Sequence, residues 1–314
     1  MLNNKFKYYY LFLALFALLG FACKGDAETP ESNLIQAVEN GLIPAVVVRG
    51  APPKTYSLLE RMKHYNVPGV SIAVVKDGGL LWAKGYGLGN TQTGDSVTQG
   101  TLFQAGSISK PIAALAVLKL WENGQLDLDT DVNSYLKGWK LEETSYTTDQ
   151  KVTLRRLLTH TGGVTVHGVP GYSQTDEFPD IIQVLNGEGN TPRITTDTIP
   201  GALWRYSGGG YTVMEKVVED VSGQPLEMYM RDHVFPALQM DQSTYQQPLG
   251  SEYASLASAA FNGEGEQLEG LWNNYPEQAA AGLWTTPTDL ARYCIEIQEM
   301  LEGKKGGLLT PETV

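Results

Sequence analysis

An α+β fold is predicted by three features of this chain. Two β-rich runs, residues 70–75 and 80–86, flank Asp77-Gly78-Gly79, a turn sequence that closes an antiparallel hairpin. A helix that is apolar on nearly every face follows Ser107-Ile108-Ser109-Lys110 and reads as a buried core element. Residues 126–259 then alternate helical patterns with long polar loops, which predicts a mostly helical subdomain there.

At the amino terminus, Lys5 and Lys7 form a basic start, and the apolar run over residues 8–22 is too short to span a bilayer as a helix. The run ends Leu19-Gly20-Phe21-Ala22-Cys23 and turns polar at Lys24. Small residues before a cysteine at that place resemble a bacterial lipoprotein signal. The resemblance implies removal of residues 1–22 and a lipid on the Cys23 thiol; an ordinary signal peptide is the alternative. The expected location is the bacterial cell envelope, with a membrane-anchored lipoprotein facing the periplasm or exterior. Residues 23–37 are expected as a tether, and 38–314 as the folded domain. A helix is predicted over residues 56–64, ahead of the hairpin.

The helix after Ser107 carries the chemistry. Pro111 lacks an N–H and suits only a first turn, which places the helix start near Ser107, and Asn123-Gly124 stops it. Positions i and i+3 share a face, so the Ser107 hydroxyl and the Lys110 amine point into one space. The positive end of the helix dipole lies under the serine, where an oxyanion would be stabilised. Burial favours a neutral lysine, which is then a usable base. Spacing alone does not carry this. Ser134-Tyr135-Leu136-Lys137 has the same pattern, but it lies in a polar stretch with no buried helix behind it, and Ser134 is read as a surface residue.

Trp204-Arg205-Tyr206-Ser207-Gly208-Gly209-Gly210 puts a tyrosine on a glycine-rich loop before an amphipathic helix predicted over 211–222. The glycines are expected to bring the backbone close to a ligand. A further helix is predicted from Thr286-Pro287-Thr288-Asp289, with a cap, a first-turn proline and an early acid.

Together these motifs resemble the serine β-lactamase and penicillin-binding fold, in the branch of class C β-lactamases, D-Ala-D-Ala carboxypeptidases and related esterases. Val67-Pro68-Gly69-Val70, Leu157-Leu158-Thr159-His160-Thr161-Gly162-Gly163 and Ala281-Gly282-Leu283-Trp284 resemble the family as well. The resemblance implies an antiparallel sheet flanked by helices. It also implies Ser107 as nucleophile, Lys110 as the amine sharing its proton, and Tyr206 as general base and acid. A Gly-x-Ser-x-Gly elbow is absent, which disfavours the α/β-hydrolase route to the same chemistry.

Three departures qualify the resemblance. Gly208 stands at the substrate-binding place where the family usually has an asparagine, and Ala281 stands where class C β-lactamases carry a tyrosine. From Leu290 to Val314 nothing reads as the strand that bears the third motif, so C-terminal sheet strands are expected to be missing and the chain to be truncated. His160-Thr161-Gly162 spells that motif, but ahead of Tyr206, and His160 is read as structural.

The expected function is a serine hydrolase cleaving an amide, lactam or ester bond of a small-molecule or peptide substrate through a Ser107 acyl-enzyme. The alternative is a non-catalytic lipoprotein binding peptidoglycan-like ligands, or an inactive fragment. Composition agrees with one sizeable core, at 42% hydrophobic and 18% charged residues. A net charge of −12 leaves no basic face for nucleic acid. Cys294 falls in an apolar helical pattern and is expected to be buried. The four histidines show no metal-ligand spacing, and neither a metal nor another cofactor is expected.

Overall fold

A computed structural model describes residues 30–50, 52, 54–304 and 307–313. The expectations for residues 1–22 and for Cys23 lie outside the described residues. The chain divides into two compact units, one ending at Arg61 and one beginning at Met62.

In the first unit, α1 covers Pro30–Glu39, so the later part of the segment expected as a tether is helical. Tyr56 pairs with Leu42 across an antiparallel bridge, and the Lys54 ammonium and Arg61 guanidinium lie 4.8 and 4.5 Å from its ring centre. The next helix, α2, covers Leu58–His64. Its start is set by a reciprocal cap: Glu60 N–H donates to Ser57 Oγ, and the Glu60 carboxylate accepts from Ser57 N–H at 2.8 Å.

The second unit opens with the predicted hairpin. Strands β1 (Gly69–Lys76) and β2 (Gly79–Asn90) pair antiparallel, with Ile72 opposite Lys84 and Ala73 opposite Ala83. Asp77 and Gly78 both take positive φ, 52° and 76°, as a tight two-residue hairpin turn of this hand requires. A short β3 (Asp95–Ser96) continues the sheet beside β2, and β4 (Phe103–Gln104) pairs with β5 (Trp284–Thr285) in a second small sheet. These are antiparallel strands with helices packed around them, the α+β arrangement that the sequence predicts.

The helices of this unit follow in order: α3 (Ser109–Glu122), α4 (Leu154–Leu158), α5 (Ile181–Asn186), α6 (Gly208–Ser222), α7 (Leu226–Tyr229), α8 (Phe235–Leu238), α9 (Ser251–Ala254), α10 (Gln278–Ala281) and α11 (Pro287–Leu301). A π-helical turn, Met230–Val234, joins α7 to α8. Helix α3 is central. Ile112, Ala113, Ala116, Val117 and Leu120 are fully buried against α6, whose Val213, Met214, Val217 and Val218 are buried too. Each such valine or leucine contributes about 2 kcal/mol relative to exposure. Helix α10 packs on both α3 and α6, and α11 lies against β1 and β2. No helix of the described residues is long and apolar enough to cross a membrane.

Two expectations are corrected here. The three glycines do not form a loop: they are the first turn of α6, and Ser207 caps them by accepting from Gly210 N–H at 2.8 Å. What they admit is another part of the protein. A Cβ on Gly209 would stand 2.6 Å from Thr165 O and 3.1 Å from Val166 Cβ. Cys294 is exposed, not buried. Leu290, Tyr293, Ile297 and Met300 form the inner stripe of α11, and Cys294 sits one residue past it, in line with exposed Gln298 and Leu301.

Candidate active site

Ser107 precedes α3 and lies in a 3₁₀ turn, Gly106–Ile108. Lys110 lies three residues on, in the first turn of α3, and so shares a face with Ser107. Lys110 Nζ donates to Ser107 Oγ at 3.1 Å and to Ala280 O, from α10, at 2.7 Å. Ser107 is exposed while Lys110 is only 5% exposed, so the nucleophile faces solvent and its amine does not. Burial pulls the Lys110 pKa below the ordinary lysine value, and the neighbouring Tyr206 phenol works against that shift.

The turn is held from below by Ser109. Its Oγ donates to Gly106 O at 2.6 Å and accepts from Leu283 N–H at 3.0 Å, while Tyr245 Oη donates to Ser109 O. Ala105 N–H donates to Leu283 O at 2.9 Å, extending the β4–β5 pairing up to the nucleophile. The Ile108 N–H closes the turn on Ala105 O, so the Ser107 N–H precedes the first bond of the turn and suits an oxyanion donor.

Tyr206 enters from the segment that leads into α6. The Lys110 ammonium lies 4.8 Å from its ring centre and 5.8 Å from that of Tyr211. The two tyrosines are not equivalent. Tyr211 is buried, its hydroxyl donates to Leu158 O at 3.2 Å, and burial pushes its pKa up to about 12. Such a phenol stays protonated and cannot accept the serine proton. Tyr206 is half-buried at the edge of the site.

The structure thus brings Ser107, Lys110 and Tyr206 together from segments that lie far apart in sequence. Gly208 is buried as the first residue of α6; its N–H donates to His167 O, and its carbonyl accepts from Thr212 Oγ1. It offers a substrate no side chain and no free backbone group. Ser134 lies on a separate 3₁₀ turn, Val132–Ser134, and the Lys137 that follows it is tied to Asp220.

Sequence reasoning did not assign site roles to Ser109, Ala280, Tyr245 or His167, and it read His160 as structural in a helical-region loop. His160 is in such a loop, but its ring lies 4.4 Å from that of Tyr206. The contact joins residues far apart in sequence, and no local pattern signals it. Two acids also lie close by. Glu215 on α6 accepts from Ala279 N–H at 2.8 Å, and Glu277, just before α10, is 1% exposed with neither carboxyl oxygen hydrogen-bonded. Burial pushes Glu277 up to about 7 and Glu215 well above the usual carboxylate range. Among the described residues, no group of three or more His, Cys, Asp or Glu side chains is placed to hold a metal ion.

A serine and a buried lysine one turn apart, with a phenol against the lysine, form an arrangement suited to serine acyl transfer. The Beta-lactamase family model matches residues 58–314, and the chain belongs to that family of serine hydrolases, which act on small-molecule and peptide substrates. It is 30% identical over 184 residues to penicillin-binding protein 4 of Amycolatopsis lactamdurans, covering 58% of this chain and 46% of that protein. It is 30% identical over 179 residues to the esterase EstB of Burkholderia gladioli, covering 53% of this chain and 44% of the relative. An octameric penicillin-binding protein homologue from Pyrococcus abyssi superposes with a TM-score of 0.65 at 26% identity, over 82% of this chain and 57% of that one. The chain therefore spans less than half the length of these two curated relatives.

Proposed function

We propose that the protein hydrolyses an ester or amide through an acyl-enzyme on Ser107. The Ser107 Oγ attacks the carbonyl carbon, its proton passes to Tyr206 or Lys110, and the oxyanion collapses with loss of the leaving group, which takes that proton. Water then attacks the acyl-enzyme carbonyl, the bond to Ser107 Oγ breaks, the acyl group leaves as the carboxylic acid, and the serine regains its proton. The observation that carries this reading is the 3.1 Å contact of the buried Lys110 amine with Ser107, with Tyr206 against the same amine. Among acyl donors, simple esters come first. Gly208 presents no amide to grip an acyl-amide substrate, and one relative is named an esterase.

The test is covalent capture. A fluorophosphonate or labelled penicillin is expected to modify Ser107, with p-nitrophenyl acetate turned over faster than nitrocefin. Mass-spectrometric mapping of the adduct to any other serine would sink the assignment. The reading extends to location, on the strength of the Cys23 signal pattern: Cys23→Ser is expected to shift the protein out of the membrane fraction or leave it unprocessed. Equal release of a soluble mature form from both versions would favour an ordinary signal peptide.

A further inference from the structure

Tyr206 is gripped at three points by one residue. His160 follows α4 in the left-handed region, at φ 58°, a conformation that few side chains other than Asn, Asp and His adopt readily. Its carbonyl accepts from Arg205 N–H at 2.8 Å, on one side of Tyr206. Its Nδ1 accepts from Ser207 N–H at 3.2 Å, on the other side. Its ring lies against the Tyr206 ring, 4.4 Å between centres at 38°. A backbone N–H can donate only to an unprotonated nitrogen, so the proton of this imidazole is on Nε2. A second histidine completes the arrangement, since His167 Nδ1 donates to Tyr206 O at 2.6 Å.

We propose that His160 is a positioning residue for Tyr206: as a neutral, Nε2-protonated imidazole it fixes the phenol beside Lys110. The inference rests on the reading of Tyr206 as the proton-transfer group. The titratable groups that face His160 are Lys110 from α3, Tyr206, and Tyr211 within α6; Lys110 is the charge among them. Protonating His160 would set a donor against the Ser207 N–H and a second cation beside Lys110. Partial burial, with the Lys110 charge beside it, holds it neutral to a lower pH than an ordinary histidine. Once protonated it loses its hold on the Ser207 side of the tyrosine. The acid limb of Ser107 acylation therefore contains the ionisation of His160.

Two variants separate the contacts. His160→Asn tolerates the left-handed backbone and keeps an acceptor; His160→Phe keeps a ring and loses the acceptor. Melting curves establish that each is folded, and His233→Gln, which alters a histidine whose ring lies tilted 4.7 Å from that of Tyr229, serves as the control substitution. In protein carrying ¹⁵N-histidine and ¹³C-tyrosine, His160 is expected to show unprotonated Nδ1 at neutral pH. The Tyr206 ring signals are expected to move with the His160 midpoint. Fluorophosphonate labelling of Ser107 is expected to slow about tenfold in His160→Phe, with a displaced acid limb, and less in His160→Asn. A protonated Nδ1, Tyr206 signals indifferent to the His160 titration, or variants that label at the wild-type rate and pH profile would each overturn the proposal. Failure of wild-type labelling would instead sink the hydrolase reading, and the two magnetic-resonance outcomes would still decide the role of His160.

Discussion

The buried carboxyl of Glu277 makes stability depend on pH in a direction that one substitution isolates. It is 1% exposed, neither oxygen is hydrogen-bonded, and its pKa is raised from 4.5 to about 7. The unfolded chain releases this proton near 4.5, whereas the folded protein holds it to about 7. The stabilising contribution is therefore fully present below pH 4.5 and is lost as pH rises through 7. A shift of this size corresponds to about 3 kcal/mol, at about 1.4 kcal/mol per unit. Glutamine has nearly the same shape and no titration, so Glu277→Gln removes this slope. Relative to wild type, the variant is expected to gain about 3 kcal/mol between pH 4.5 and pH 8. Glu215, also buried and raised, imposes a slope of the same sign that persists in the variant, eased where the Glu277 charge had added to it. Urea unfolding at several pH values, followed by tryptophan fluorescence, measures the difference directly. Parallel stability curves for the two proteins would refute the reasoning, because they would mean that Glu277 titrates alike folded and unfolded.

The remaining expectations concern the site and its frame. Ser107→Ala should abolish labelling by fluorophosphonate or penicillin, and Ser134→Ala should leave it unchanged, as read by gel fluorescence. Tyr206→Phe should preserve the melt and slow turnover about 10²-fold or more. Lys110→Ala should be at least as damaging, and the double variant far from additive, since one amine contacts both partners. Gly209→Ala should cost about 1–3 kcal/mol through the clash with Thr165 O. Gly208→Ala, whose Cβ would find its nearest neighbour at 3.5 Å, should cost distinctly less in the same urea titration.

What was legible in the sequence was local. The hairpin follows from Asp77-Gly78, because the turn needs two residues that accept positive φ. The Ser107–Lys110 pair follows from spacing within a single turn, whichever helix type the turn adopts. Tyr206 was reached through the resemblance, because nothing in its own segment tells a packing tyrosine from a reactive one. Ala280 was invisible: its part is played by a carbonyl oxygen, which every residue has, and it meets Lys110 from 170 positions away. The glycines before Tyr211 were read as a ligand-binding loop because their composition permits one, yet they serve close packing inside a helix turn. Cys294 failed for a finer reason. In a helix one residue is 100° of rotation, and an apolar pattern does not fix the centre of the buried stripe to that precision.

The neighbours of Lys110 constrain how the proposed reaction begins. An ammonium has three donors and no acceptor. Ala280 O takes one at 2.7 Å and Ser107 Oγ another at 3.1 Å, while the Tyr206 ring borders the same nitrogen. While Lys110 is charged, Ser107 accepts from it and cannot hand it a proton, so the serine proton must leave toward Tyr206. While Lys110 is neutral, its lone pair can take that proton directly, and burial favours this form. The phenol opposes the shift, since an ammonium beside Tyr206 is stabilised most when the phenol is ionised. Each of the two groups is therefore the stronger base when the other has lost its proton. That coupling is why their substitutions are expected not to add.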